Sequence, residues 1–393
     1  MRARLSQTAL LLALTACGVG PSQTGNASVA ANGAGSQPAV AEQGRPFSVT
    51  EVAQFTMPWA MDFLPGSGLP MTNRALVSER EGKLWLIDLA TGQRQPVGGF
   101  PQPLVAGQGG LSDVVVHPDF AGNQRVYLSF VEGGANGTSG AAIGYGRLVF
   151  VGPAVPGGPT SAQLTDFEVI WRQTPKVTDN GHYAHRIAFA RDGTMFVSSG
   201  DRQKMQPAQD RNSDLGKIIH MTDEGQRIGG RFHTMGHRNP LGLAFAPDGR
   251  LWSSEMGPRH GDELNLIEPG KNYGWPQASY GSHYEGGDIP DEHKARGFEE
   301  PKVWWNPAIS PGGLLIYSGD LFRSWKGDAL IPALSGQALI RVDIDGASAR
   351  KADQWDMGAR IRAVDQGPRG EIYLLEDGRG GKGGRLLRLE PAR

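Results

Sequence analysis

Apolar and polar residues alternate along this chain in short runs, and the runs come in pairs separated by turn residues. Gly242–Gly249 (GLAFAPDG), followed by Arg250-Leu251-Trp252, predicts a strand, a tight Asp-Gly turn where a positive φ is needed, and a second strand. The signature returns in ALVSEREGKLWLIDLATG from Ala75, LSDVVVHPDFAGNQRVYLSF from Leu111, RIAFARDGTMFVSSGD from Arg186 and RAVDQGPRGEIYLLED from Arg362. GDALIPALSGQALIRVDIDG from Gly327 fits it without the aromatic residue. Roughly six such units, about 40–70 residues apart, predict an all-β propeller whose blades carry loops of unequal length. The period of two, with 57 glycines and 27 prolines, leaves little room for long helices.

Length and charge narrow the picture. The chain has 393 residues, but no linker interrupts the repeats, and a propeller reaches that size as one unit. With 39 basic against 40 acidic residues, a formal charge of −1 and no basic stripe, nucleic acid is not expected as a partner.

The N-terminus supplies an address. Residues 1–17, MRARLSQTALLLALTAC, set Arg2 and Arg4 before an apolar run too short to span a bilayer, with the composition of an export signal. The run ends Leu14-Thr15-Ala16-Cys17 and resembles a bacterial lipobox; Cys17, the only cysteine, would become the acylated N-terminus. Gly18 as the second mature residue favours the outer membrane of a diderm host, so a lipid-anchored periplasmic protein is expected, with an ordinary signal peptide as the alternative. Residues 18–45 are mostly Gly, Ala, Ser and Gln and read as a flexible tether; residues 46–393 form the propeller domain.

Candidate chemistry sits at the ends of the predicted strands. Gly236–Pro240 (GHRNP) puts a cation, an amide and a constrained turn at a hairpin mouth, where a strand's length gives them no packing role. His182 follows Asp179-Asn180-Gly181; its imidazole can serve as a base near neutral pH, or be a plain loop histidine. His185 invites a zinc pair with it, but three-residue spacing in a strand sends the rings to opposite faces, and the Glu of a HExxH helix is missing. Arg360 and Arg362 alternate on a predicted strand and so share one face, which is either solvated or poised for an anion.

GQGGLSDVVVHPDF (107–120), GHYAHRIAF (181–189), GHRNPLGLAF (236–245), EMGPRHGDELNLI (255–267) and NYGWP (272–276) together resemble the soluble quinoprotein glucose dehydrogenase and aldose sugar dehydrogenase group, the glucose/sorbosone dehydrogenase family. The resemblance runs from about Phe47 to Glu390. It implies a six-bladed β-propeller that binds pyrroloquinoline quinone (PQQ) through Ca2+ and oxidises aldoses at the anomeric carbon. By that resemblance His182 is the catalytic base; Arg238 and Asn239 face the quinone and the reacting sugar oxygen; Gln108, Arg360 and Arg362 contact the cofactor; and the carbonyls of Gly257 and Pro258 ligate calcium. A small-molecule sugar, an unidentified electron acceptor and a monomer or homodimer are expected. A guanidinium beside a quinone gaining charge stabilises the transition state more than the ground state, and main-chain carbonyls suit calcium.

Departures from the family pattern limit what carries over. Gly181 replaces an aspartate that supports the histidine, and His185 replaces a glycine, so the partner orienting His182 is unidentified. Ser335 replaces a cofactor-contacting lysine. Val303 and Asn306 replace aromatic residues that frame the sugar, leaving the adjacent Trp304 and Trp305 to compensate, and glucose specificity is not expected. Asp262-Glu263 reads as a solvated acidic pair. Two other readings stand beside the dehydrogenase: a non-catalytic propeller binding a carbohydrate or protein, and a lactone hydrolase, which would need a carboxylate or Asn cage for calcium.

Overall fold

The computed structural model describes residues 44–66, 73–151, 161–381 and 383–392. The expected signal peptide, Cys17 and nearly all of the tether lie outside them. The Gly242 hairpin forms as its sequence predicts: Pro240–Phe245 pairs with Leu251–Glu255, Gly249 takes φ 89°, and Asp248 caps the Arg250 amide at 3.0 Å. Leu243, Leu251 and Trp252 are buried, and Leu251–Glu255 is covered on both faces.

Each hairpin is extended into an antiparallel sheet. Pro240–Phe245, Leu251–Glu255, Asp262–Ile267 and Val303–Trp305 make one; Ala184–Phe189, Met195–Ser199, Lys217–Met221 and Thr234–Met235 a second; Leu315–Ile316, Ala329–Ala333, Ala338–Asp345 and Ser348–Asp356 a third. In a fourth, Ile361–Gln366, Ile372–Glu376 and Gly384–Pro391 accept Phe47–Phe55 as the last strand, so the two ends of the domain close on each other. The fifth sheet has eight strands: the meander from Pro58–Phe63 to Arg94–Gly98 meets the meander from Leu111–Val116 to Ser161–Arg172 through parallel pairing of Val97 with Ala162. The chain is therefore all-β; among the described residues helix is confined to Phe120–Asn123 and single 3-10 turns.

Four of the predicted units supply the first two strands of a meander. The Ala75 and Gly327 units instead supply the second and third, because the strands preceding them carry no clear signal. Pro58–Phe63 (PWAMDF) opens with four apolar residues in a row and lacks the alternation of the other strands, and Leu315–Ile316 is only two residues long. The first strands, Pro58–Phe63, Leu111–Val116, Ala184–Phe189, Pro240–Phe245, Leu315–Ile316 and Ile361–Gln366, touch in that order, and the last touches the first. Apolar residues fill the spaces between neighbouring sheets, as where Trp252, Leu264 and Trp305 pack on Ile331 and Ile340.

Charge fills the centre of this ring. Arg186, on Ala184–Phe189, bonds Asp113 Oδ1, Leu241 O and Gly312 O, each at 2.7 Å, and its guanidinium lies 4.1 Å from the Trp59 ring centroid. Asp113 Oδ2 accepts the Ile187 amide at 2.9 Å. Burial raises the Asp113 pKa while Arg186 pulls it down; Asp62 and Asp365, nearby, are also raised by burial, Asp62 to about 7.

Arg186→Met leaves Asp113 buried without its counter-ion and is expected to destabilise the domain by about 3–5 kcal/mol in urea unfolding. A carboxyl whose folded pKa is raised contributes stability that is lost as pH rises, so the deficit is expected to be smaller at about pH 5 than at about pH 8.

Candidate active site

The loop entering Ala184–Phe189 is held in an unusual backbone. His182, Ala184 and His185 have φ of 48°, 56° and 53°, a left-handed region that non-glycine residues adopt only when their surroundings enforce it. Arg202, fully buried, supplies part of that enforcement: its guanidinium donates to the carbonyls of Gly181, Ser139 and Asp179 and lies 3.7 Å from the Tyr183 ring centroid. Gln108 Oε1 accepts the His182 amide at 2.8 Å, placing that glutamine beside the histidine.

His182 has a defined partner. Its Nδ1 meets Asp201 Oδ1 at 2.7 Å, and Asp201, fully buried, also accepts the Trp275 indole N–H at 2.8 Å and the amides of Gln203 and Met205 at 2.8 and 3.2 Å. Hydrogen bonds and nearby positive charge hold the Asp201 pKa below the usual value despite burial. An ionised carboxylate only accepts, so Nδ1 carries the proton and Nε2 keeps a free lone pair. Burial pushes the imidazole pKa down; the Asp201 bond opposes this, and Arg238 adds to the lowering. The ring is thus neutral at neutral pH.

His185 belongs to a separate network. Its ring nitrogens meet Ser129 Oγ at 2.7 Å and Ser112 Oγ at 3.3 Å, it stacks on Trp59, and burial drives its pKa to about 3. The hydrogen bonds of the two rings go to different residues, and the strand alternation expected to separate the histidines does not apply, because His182 precedes the strand.

GHRNP is organised by Glu255. One oxygen accepts the amides of Arg238 and Asn239, and the other meets His237 Nδ1 at 2.9 Å. With its backbone fixed, the Arg238 side chain reaches Met256 O at 3.1 Å and Tyr284 Oη at 3.2 Å, between the rings of Trp275 and Tyr284. Arg238 Nε and Asn239 Oδ1 are buried without a hydrogen-bond partner. Asp262 fixes the next loop by accepting the amides of Gly257, Ile309 and Ser310. Among the described residues, no main-chain N–H donates to the carbonyls of Gly257 or Pro258.

Two adjoining spaces result. A cavity of about 690 Å³ is lined by Gln108, Asn239, Met256, Tyr284, Arg360 and Arg362, among others. A narrow recess beside it is lined by Arg238, Met256, Gly257, Pro258 and Trp275. Met256 is common to both. His182 lines neither; it adjoins the larger through Gln108 and Tyr183. Arg360 and Arg362 both reach Asp377 Oδ2, at 2.9 and 3.4 Å. Strand alternation is not the reason, because Arg360 precedes the strand Ile361–Gln366, whose register is irregular between Ile361 and Ala363. Burial brings the Arg362 pKa down to about 10. Arg80 and Arg379 also line the cavity, so four arginines stand there against Glu81 and Asp377.

Several expectations are corrected. Trp305 is buried in the core and Trp304 stacks on Tyr280 at 4.7 Å, so neither lines the cavity or replaces the aromatic frame at Val303 and Asn306. Asp262 and Glu263 are buried rather than solvated; burial, with Glu255 nearby, pushes the Glu263 pKa to about 8. Ser335 bonds Ser310 Oγ at 2.8 Å. Sequence reading gave no role to Asp201, Glu255, Asp377 or Tyr284. Asp201 and Asp377 each end a predicted hairpin unit and Glu255 opens the EMGPRHGDELNLI motif, so those three offered a positional signal; Tyr284 offered none.

The glucose/sorbosone dehydrogenase family model matches residues 55–388. Aldose sugar dehydrogenase YliI of Escherichia coli (strain K12) is 35% identical over 350 residues, covering 85% of this chain and 90% of that protein. The structure of the soluble aldose sugar dehydrogenase from Escherichia coli in its apo form superposes with a TM-score of 0.80 at 33% identity, covering 88% of this chain and all of the other (100%). The PQQ-bound aldose sugar dehydrogenase from Streptomyces coelicolor superposes with a TM-score of 0.67 at 28% identity, covering 90% and 99%.

Asp201→Asn removes the negative charge that raises the His182 pKa. The imidazole is therefore expected to titrate lower still, and its Nδ1–H preference to weaken, as read from 15N shifts of the ring across a pH series.

Proposed function

The chain belongs to the glucose/sorbosone dehydrogenase family, and from that premise we propose that it is a PQQ-dependent aldose dehydrogenase with a six-bladed β-propeller fold, oxidising sugars at the anomeric carbon to the lactone. Four four-stranded sheets, an eight-stranded sheet divisible at its one parallel step, and the closed cycle of first strands support the blade count.

The observation that carries the cofactor assignment is charge. PQQ is a tricarboxylate, and the cavity sets Arg80, Arg360, Arg362 and Arg379 against only Glu81 and Asp377. The partnerless Arg238 Nε and Asn239 Oδ1 fit a polar group placed beside them. Arg360 and Arg362 would hold carboxylates, with Gln108 and Asn239 beside the cofactor and sugar. Gly257 and Pro258 would offer their carbonyls to Ca2+.

When bound, PQQ supplies the acceptor for the hydride leaving the anomeric carbon. The chain's own part is proton and charge management. His182 Nε2 takes the hydroxyl proton, and Asp201 stabilises the imidazolium through Nδ1. Arg238 offers its guanidinium to negative charge developing on oxygen. We extend the reading to location: export, acylation at Cys17 and periplasmic anchoring at the outer membrane.

Purified apo-protein reconstituted with PQQ and Ca2+ is expected to oxidise aldoses with an artificial electron acceptor. His182→Gln is expected to lower kcat by about 10²–10⁴ while PQQ still binds. Because burial lowers its pKa from the usual value for histidine, the acid limb of kcat/KM is expected at lower pH than a solvated imidazole would give, with the rate rising as the ring loses its proton, only the neutral ring accepting one. Arg238→Ala should lower kcat strongly, whereas Arg360→Ala should mainly weaken PQQ binding, since a carboxylate contact is the same before and during reaction.

Mass spectrometry of the mature N-terminus is expected to show a lipid on Cys17, absent after Cys17→Ser. An unmodified wild-type N-terminus would remove the anchor.

A further inference from the structure

The geometry points to Tyr284 as the aromatic platform against which the substrate's pyranose ring stacks, a specificity-determining contact that rests on the aldose dehydrogenase reading. Three aromatic residues are among those lining the large cavity: Trp59, Tyr183 and Tyr284. The first two are occupied. Trp59 is covered by the Arg186 guanidinium and stacks on His185. Tyr183 lies under Arg202 and spends its hydroxyl on Ser139 Oγ at 2.8 Å. Tyr284 has a guanidinium too, that of Arg238, but at 5.8 Å from its ring centroid, and it is 68% exposed.

An exposed ring needs a reason to be held there, and the chain holds this one. It sits on a hairpin tip closed by the bridge between Ser282 and Asp288, where the His283 amide donates to Gly287 O at 3.0 Å and the Gly286 amide to His283 O at 3.1 Å. Gly286 and Gly287 take φ of 97° and 100°, which a side chain would resist. The Arg259 amide donates to Ser282 O at 3.1 Å, tying the hairpin to the loop that carries Gly257 and Pro258. Arg238 Nη2 donates to the Tyr284 hydroxyl at 3.2 Å, so the ring is positioned against the same guanidinium proposed to face the reacting oxygen.

The chemistry selects the ligand. A pyranose with equatorial hydroxyls presents axial C–H bonds on each face, and these carry partial positive charge that suits the negative face of an aromatic ring. A hydroxyl turned axial on the stacking face would break that contact. The ring therefore selects for the shape of a sugar face and reads few individual hydroxyls, which gives a broad aldose range with a bias toward all-equatorial sugars. This contact is the same in the ground and transition states, so it acts on KM more than on kcat.

Two readouts test it. In saturation-transfer NMR, methyl β-glucopyranoside, whose blocked anomeric oxygen prevents turnover, is mixed with apo-protein. Transfer to the axial protons of one face is expected with wild type and with Tyr284→Phe, and a several-fold weaker signal with Tyr284→Ala. In the reconstituted enzyme, Tyr284→Ala is expected to raise KM for aldopyranoses about 5–20-fold with kcat within about 2-fold, and Tyr284→Phe to restore most of the loss. PQQ titration should be the same for all three proteins. No transfer with wild type, transfer undiminished in Tyr284→Ala, or weakened PQQ binding in Tyr284→Ala with KM unchanged would overturn the assignment. Tyr284-dependent transfer in a protein that oxidises no sugar upholds the platform and overturns the dehydrogenase reading. Oxidation with a KM indifferent to Tyr284 does the reverse.

Discussion

Everything above the centre of the ring depends on one buried guanidinium. Arg186 touches groups from four other first-strand segments or their approaches: Trp59, Asp113, Leu241 and Gly312. Taking it out of water is costly, and the cost is offset only because every one of its contacts is made at short range. Apolar packing between neighbouring sheets fixes each sheet against the next, but it is not directional. The guanidinium adds direction at the point where those strands converge. The site inherits this order, since His182 enters the strand that carries Arg186, and His185 stacks on the Trp59 ring beneath it.

Above that floor, buried carboxylates hold the loops. Asp201, Glu255 and Asp262 each accept at least two main-chain amides, and each lies beside a residue assigned to the site. The device suits loops that cannot satisfy their own backbone, because one carboxylate offers about four acceptor positions and fixes several N–H groups at once. It also accounts for the left-handed residues at the site. Arg202, Gln203 and Met205 have φ of 56°, 59° and 58° around Asp201, a backbone costing on the order of 1–3 kcal/mol per residue that the carboxylate and the Arg202 guanidinium offset.

The hairpins were legible because a strand's period and its turn chemistry are local properties of the chain. Asp-Gly at 248–249 needs nothing beyond its neighbours to form a turn. Motif residues were equally legible, since GHRNP stands out as polar at a hairpin mouth. Asp201 was not: it lies 19 residues from His182 and meets it only after the hairpin folds back. Asp262 read as half of a solvated acidic pair and Glu255 only as the first residue of a motif, and nothing local distinguishes a carboxylate that will be buried among amides from one left in water. Trp304 failed as a candidate for a similar reason. Its place beside Tyr280 depends on which face of a three-residue strand turns toward the sheet's edge. Tyr284, on a glycine-bounded turn, carried no strand or helix period at all.

Arg238 and Asp201 pull the His182 imidazole in opposite directions, and their balance matters more than either charge. Burial lowers the ring's pKa and Arg238 adds to the lowering, which disfavours the imidazolium; the Asp201 bond opposes both. Acting together, they keep the resting ring neutral while leaving a carboxylate in place to meet the charge it acquires. On the proposed reading the same guanidinium that adds to burial in favouring the neutral base also faces the oxygen where negative charge develops. Proton removal and charge stabilisation are then coupled through one residue, whose backbone Glu255 holds still. A lysine there would supply charge but no planar fork able to bond Met256 O and Tyr284 Oη at once, so the recess and the cavity would lose the side chain that bridges them.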